Sequence, residues 1–385
     1  MKADEKMFSN CGIGSTNCGV TILFACAALF PITAISQSPS SKSVVTLNLR
    51  DAEVTALNNQ PNDPVIGLVQ CDLRGNIYFR TYQYPEPLSA PVIRIAPDKT
   101  RLVTAELGKT SEFSGSLFQI LDFRVDPKGQ VWTLVMSRKD DKVTISIVVF
   151  DEDGKFKSQT KLQGEMFSAT EFVPFASGQI LVTGYKNLAP EKGAPPEKGK
   201  RPAVEPFTAI FDTSGRLVRE LNLPGDVKDP DTPAKNPPKS ENSQKNRVDV
   251  RSAVTETGTS IGDDGNIYLV RMTDQPTVDV LSESGELLRH FKVAKPSDTA
   301  NPLFMRFVGG HRLVFDFVEP VPPDDPGGDT QIFAVIDAES GETLYRYKVS
   351  GTSGGAFACY NSDQSFSFLN STSAGFMTIV KAVAQ

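Results

Sequence analysis

One two-part phrase recurs along this chain, and no other feature narrows the fold as much. Its first part is a turn, a glycine and an apolar strand. It reads DLRGNIY at 72–78, DPKGQVW at 126–132, ASGQIL at 176–181 and DDGNIY at 263–268, with degraded copies GGHRLVF at 309–315 and SDQSFSF at 362–368. The second part is an apolar strand, a polar turn and a glycine. It reads VVFDEDG at 148–154, AIFDTSG at 209–215, VLSESG at 280–285 and VIDAESG at 335–341; PVIRIAPD at 91–98 opens the set without its glycine.

Glycine after Asp or Ser supplies the positive φ of a tight hairpin at little steric cost. The flanking runs are rich in Val, Ile, Phe, Tyr and Thr, as strands are. Each repeat is therefore two hairpins, or four antiparallel strands, and no amphipathic helix of ordinary length interrupts them. Four-stranded units repeated about an axis are propeller blades. The expected fold is all-β, a six-bladed β-propeller with blades at 64–108, 118–164, 167–224, 248–294 and 298–350 and a last blade from Gly351 onward. That tail offers about three strands, so an N-terminal strand, Val44–Leu49, is expected to join it and close the ring.

The paired phrases, such as GNIY at 265–268 followed by Ser284-Gly285, resemble those of the NHL/TolB-like group of six-bladed propellers. The resemblance spans residues 37–385 and is one of fold grammar, so it implies architecture and little chemistry. Some similar propellers are calcium-dependent lactonases; their ligand motif is not matched residue by residue here.

Residues 1–36 read as a signal peptide. Lys2 and Lys6 precede the apolar stretch Val20–Ile35, which is short for a membrane span and holds Pro31. Ala34-Ile35-Ser36 suits cleavage before Gln37, with an uncleaved anchor as the alternative. A lipoprotein site at Cys26 fits poorly because Phe24 is bulky and the apolar run continues. The expected location is secreted or periplasmic, with no membrane attachment after cleavage. The remaining 349 or so residues form one domain with insertions at 186–206 and 225–249. A net charge of −6 with no basic patch argues against a nucleic-acid partner.

Long connections should collect on one face. Thr81–Pro91, Tyr185–Pro206 and Glu319–Thr330 join second to third strands, and Gly225–Asp249 links two blades. Binding usually resides in long loops on a rigid scaffold. Their Pro, Lys, Glu and Ser content equally suits plain linkers. Strands before the Asp-x-Gly turns should line the channel, and they carry Gln70, Asp122, Arg124, Glu171, Glu256 and Arg306; Tyr82 and Tyr84 stand in a mouth loop. Converging carboxylates could hold Ca²⁺ or act as acid and base. Alternation also sends half of such side chains between blades, where they pair as structural ions.

His290 and His311 have no second His, Cys or carboxylate at ligand spacing, so a His-based metal centre or a Ser-His-Asp triad lacks parts. Asp151 with Asp153, and Asp324-Asp325 with Asp329, do not match a calcium loop; turn chemistry explains them. Cys71 and Cys359 fall in the inner strands of the first and last blades, where a disulfide would latch the ring; two buried free thiols are the alternative. Two readings follow. One is a binding or scaffold propeller without metal or cofactor, engaging a protein, peptide or glycan through the long-loop face. The other is a lactonase-like hydrolase or lyase built on a carboxylate-bound Ca²⁺.

Overall fold

The turns organise each blade through short-range bonds. Asp72 Oδ1 accepts from the backbone N–H of Arg74 and Asn76, both at 2.9 Å, while Oδ2 accepts from the Tyr78 hydroxyl at 3.2 Å. Asp126 repeats the pattern with Lys128 and Gln130, and Asp264 does so with Asn266 and Tyr268. Such Asx turns satisfy backbone donors that would otherwise be orphaned where strands reverse. Gly215 shows why the glycine is needed: its φ is +82°, and a Cβ there would stand 2.0 Å from the carbonyl oxygen of Lys161.

The computed structural model describes residues 44–47, 54–56, 65–72, 74–81, 89–164, 167–188, 203–226, 250–255, 258–320, 330–349, 355–371 and 377–383. They form six sheets, five of four strands and one of five, each built on four consecutive antiparallel strands except the last, whose fourth strand comes from the N-terminal part of the chain. The blades span Val65–Ala105, Leu117–Lys161, Ser168–Leu221, Ser260–Lys292, Asn301–Val349 and Ala356–Ala382. The expected six-bladed propeller is thus observed.

An N-terminal strand does complete the last blade, but a different one. Val54–Ala56 pairs antiparallel with Met377–Ala382, placing Thr55 opposite Ile379. Val44–Leu47 runs parallel to Thr343–Val349 as a fifth, outermost strand of blade 5. Its Leu47 is fully buried among Phe357, Phe368 and other residues of blades 5 and 6. That apolar anchorage draws the more hydrophobic segment to blade 5 and leaves the three-residue one to close the ring.

The core is six apolar seams, one between each pair of neighbouring blades. In the seam between blades 5 and 6, Phe333 packs against Phe357, Phe366 and Phe368 with ring centroids 5.3–5.5 Å apart. Each buried ring contributes about 2–3 kcal/mol relative to exposure. Blade 4 departs from the repeat. Its innermost strand is only Ser260–Ile261, and a one-and-a-half-turn helix, Val250–Thr255, stands ahead of it. Val250, Ala253 and Val254 bury against blade 3, where Arg251 lies 5.6 Å from the Tyr185 ring centre.

Candidate functional site

The innermost strands carry a relay of polar side chains, each reaching the next blade. Gln70 on blade 1 donates to the carbonyl of Phe123 on blade 2 at 2.7 Å. Asp122 on blade 2 accepts from the backbone N–H of Phe172 on blade 3 at 3.3 Å. Glu171 on blade 3 accepts from Gly258 N at 2.7 Å, Thr259 N at 3.0 Å and Thr259 Oγ1 at 2.7 Å, all leading into blade 4. Arg306 on blade 5 donates to Ala358 O on blade 6 at 2.5 Å and to Val69 O on blade 1. Register shifts lie between Ile66 and Gln70, Ile120 and Asp122, and Ala169 and Glu171. A bulge re-aims the side chain beside it, which turns these groups from their own sheet toward the neighbour.

Charge is concentrated at blades 2 and 3. Arg124 Nη1 donates to Asp122 Oδ1 at 2.6 Å and to Phe123 O at 2.9 Å, and its Nη2 lies 3.8 Å from Glu171 Oε2. Burial pushes the Asp122 carboxyl up to about 7; Arg124 opposes the shift and Glu171 reinforces it. Arg80 donates to Ile120 O at 2.7 Å, and burial lowers its pKa to about 10 against the pull of Asp122. Burial, then the positive charge of Arg124, brings Arg306 down to about 9.

These carboxylates do not fit a calcium ion. Both oxygens of Asp122 and both of Glu171 already accept from N–H or O–H groups of the chain, and Arg124 stands between them. A hard cation needs six to eight free oxygens. No group of three His, Cys, Asp or Glu suited to a metal occurs among the described residues. Tyr82, Tyr84 and Glu256 lie outside the described residues, as do 1–36, 189–202, 227–249 and the Asp324, Asp325 and Asp329 cluster.

Two buried networks escaped sequence reasoning. Arg271, with no exposed surface, bonds Asp226 Oδ1 at 2.9 and 2.8 Å, Thr183 Oγ1 at 3.2 Å and Thr208 Oγ1 at 2.7 Å, tying blade 4 to blade 3 and to the start of the link. Contrary to the sequence expectation, His290 does have a carboxylate partner: its Nδ1 lies 2.6 Å from Asp279 Oδ1. The two residues are eleven apart in sequence but directly opposite on neighbouring strands, so spacing along the chain concealed them. A pair of cross-strand polar residues on an otherwise apolar strand was the available signal. His311 sits in a turn with φ +54°.

On blade 5 the fully buried Asp316 accepts from Gln331 Nε2 at 2.7 Å, and its other oxygen has no hydrogen-bond partner. Burial raises its pKa to about 8. Asp122 and Asp316 thus keep protons that unfolded carboxyls release near pH 4. Their stabilising contribution is complete below about pH 4 and is lost as pH rises through about 7 and about 8. Asp316→Asn should therefore flatten the fall in Tm between about pH 5.5 and about pH 8.5. Parallel melting curves for the variant and wild type would count against this.

The long connections leave from one end of the strands. They start and end at Thr81 and Val92, Asn187 and Val204, and Glu319 and Thr330, on blades 1, 3 and 5. The link from Leu221 to Ser260 leaves from the same end. Blade 2 instead turns at once through Asp140 and Asp141, both at positive φ.

No protein-family model and no curated protein matches the chain. Solved structures do, at low identity. A protein of unknown function from Dyadobacter fermentans is 11% identical, with 86% of this chain and 98% of that one covered and a TM-score of 0.51. A gluconolactonase from Xanthomonas campestris is 12% identical, with coverages of 90% and 97% and a TM-score of 0.43. An aldose sugar dehydrogenase from Streptomyces coelicolor, solved with PQQ, is 9% identical, with coverages of 90% and 100% and a TM-score of 0.41. At such identities the likeness is one of fold alone.

Proposed function

We propose that this propeller is a binding scaffold that works outside the cytoplasm and engages a protein, peptide or glycan through its long-loop face. One observation carries the reading: the long connections fall on alternate blades, 1, 3 and 5, and all emerge at one end of a ring whose inner carboxylates are already bonded between blades. Evenly spaced loops around a rigid rim suit a broad partner better than a small substrate. The bonding state of Asp122 and Glu171 leaves little for acid–base or metal chemistry, so the lactonase-like reading has no residue support among the described residues. Export rests on the apolar leader Val20–Ile35, and kinship with NHL/TolB-like propellers rests on the repeated turn phrases.

The test replaces 189–202 and 228–247 with short Gly-Ser connections and probes labelled protein on peptide and glycan arrays. The expected result is loss of the array signal while Tm stays within about 2 °C of wild type. Unchanged binding by a folded, trimmed protein would overturn the reading.

A further inference from the structure

Two arginines on the inner strands of opposed blades, Arg124 and Arg306, lie near enough for the charge of the first to act on the second. Blades 2 and 5 face each other across a ring of six. Arg124 lies opposite Trp132 and Arg306 opposite Val314, each the second residue pair before its compact turn. Both side chains reach the inner strand of blade 1 or its immediate neighbour. Arg306 bonds Val69 O; Arg124 bonds Phe123 O, the carbonyl that also accepts from Gln70. Arg306 keeps some exposed surface and lies 5.1 Å from the Phe357 ring centre.

The bonding there is incomplete. Arg124 is about nine-tenths buried, yet its Nε and Nη2 have no hydrogen-bond partner. Glu171 Oε2, at 3.8 Å from Nη2, is beyond hydrogen-bond reach and already serves Thr259. Buried donors rarely stay unpaired, and an unplaced ion or ligand is one standard reason.

From this geometry we infer a small-oxyanion site in the throat, between Arg124 and Arg306, that takes the carboxylate or phosphate group of a ligand. A planar oxyanion matches the forked donors of a guanidinium and supplies the missing acceptors. The site lies toward the compact-turn end of the channel, so it is independent of the long-loop face. Asp122 is its internal competitor, because that carboxylate holds Arg124 Nη1.

The test is isothermal titration of the full chain with inorganic phosphate and, separately, with acetate at low ionic strength, with sodium chloride as the matched control. Saturable one-to-one binding of either oxyanion is expected, and the stronger of the two identifies a phosphate- or a carboxylate-bearing ligand. Arg124→Lys keeps the charge but loses the fork and should weaken binding about tenfold. Asp122→Asn should strengthen it about tenfold by releasing Arg124. The loop-trimmed protein should bind phosphate as wild type does, which separates this site from the scaffold reading. If Arg124→Lys fails to fold, the wild-type and Asp122→Asn titrations decide. No saturable heat from either protein would mean that the chain itself meets the charge, and the site would be overturned.

Discussion

Breaking the bond between Cys71 and Cys359 is expected to cost about 3–5 kcal/mol of folding free energy. The two cysteines stand with Cα atoms 5.7 Å apart and a sequence separation of 288, joining the innermost strands of blades 1 and 6. Closing so long a loop removes much entropy from the unfolded chain. The location adds to the effect. At the outer radius the same ring is closed by three residues, Val54–Ala56, and at the inner radius Arg306 bonds carbonyls on both blades. Cys359→Ser, or reductant on the wild type, should lower Tm by about 5–10 °C for a domain of this size. Alkylation of the unreduced, denatured protein should find neither thiol free. Equal melting with and without reductant, together with two reactive thiols, would refute the latch.

The second large effect is expected at Glu171. Its side chain accepts three hydrogen bonds from Gly258 and Thr259, and it is the only described inner-strand carboxylate that bonds blade 3 to blade 4. Glu171→Ala would leave those buried donors unmatched and Arg124 without one of its ion partners, at a cost of about 3–5 kcal/mol. Glu171→Gln keeps an acceptor and should cost roughly half as much. Denaturant melts compare the two directly. An Ala variant as stable as wild type would mean that Glu171 is not structural, and would return it to the channel as a group free for chemistry.

The scaffold reading and these stability effects share one cause. A propeller holds its blades by seams, and a polar group in a seam must be bonded across it. Gln70, Asp122, Glu171 and Arg306 do this. The first three sit beside bulges, so what the sequence displays as a charged inner strand becomes an inter-blade tie. Among the inner-strand charges described above, Arg124 has two buried donors without a hydrogen-bond partner, and the proposed oxyanion site is placed there.

How much of this was readable in advance follows from the range of each interaction. The turn at 72–78 holds through an Asp that bonds residues two to six positions away, and such a motif is visible in a seven-residue window. The repeat of these turns, with strands of fixed length between them, determined the six-bladed ring, the sorting of long connections to one end and the placing of Cys71 and Cys359 in neighbouring inner strands; that the two are bonded is seen in the structure. The His290–Asp279 contact, the Arg271 network and the exchange of roles between Val44–Leu47 and Val54–Ala56 rest on partners brought together by strand register or blade packing. The helix at Val250–Thr255 is too short to show a period, and packing on blade 3 sustains it. The sequence by itself determined the blades, because hairpin chemistry is local. Only the tertiary structure decided which strand closes the ring and which charges face one another, because those choices depend on burial and alignment across seams between residues far apart in the chain.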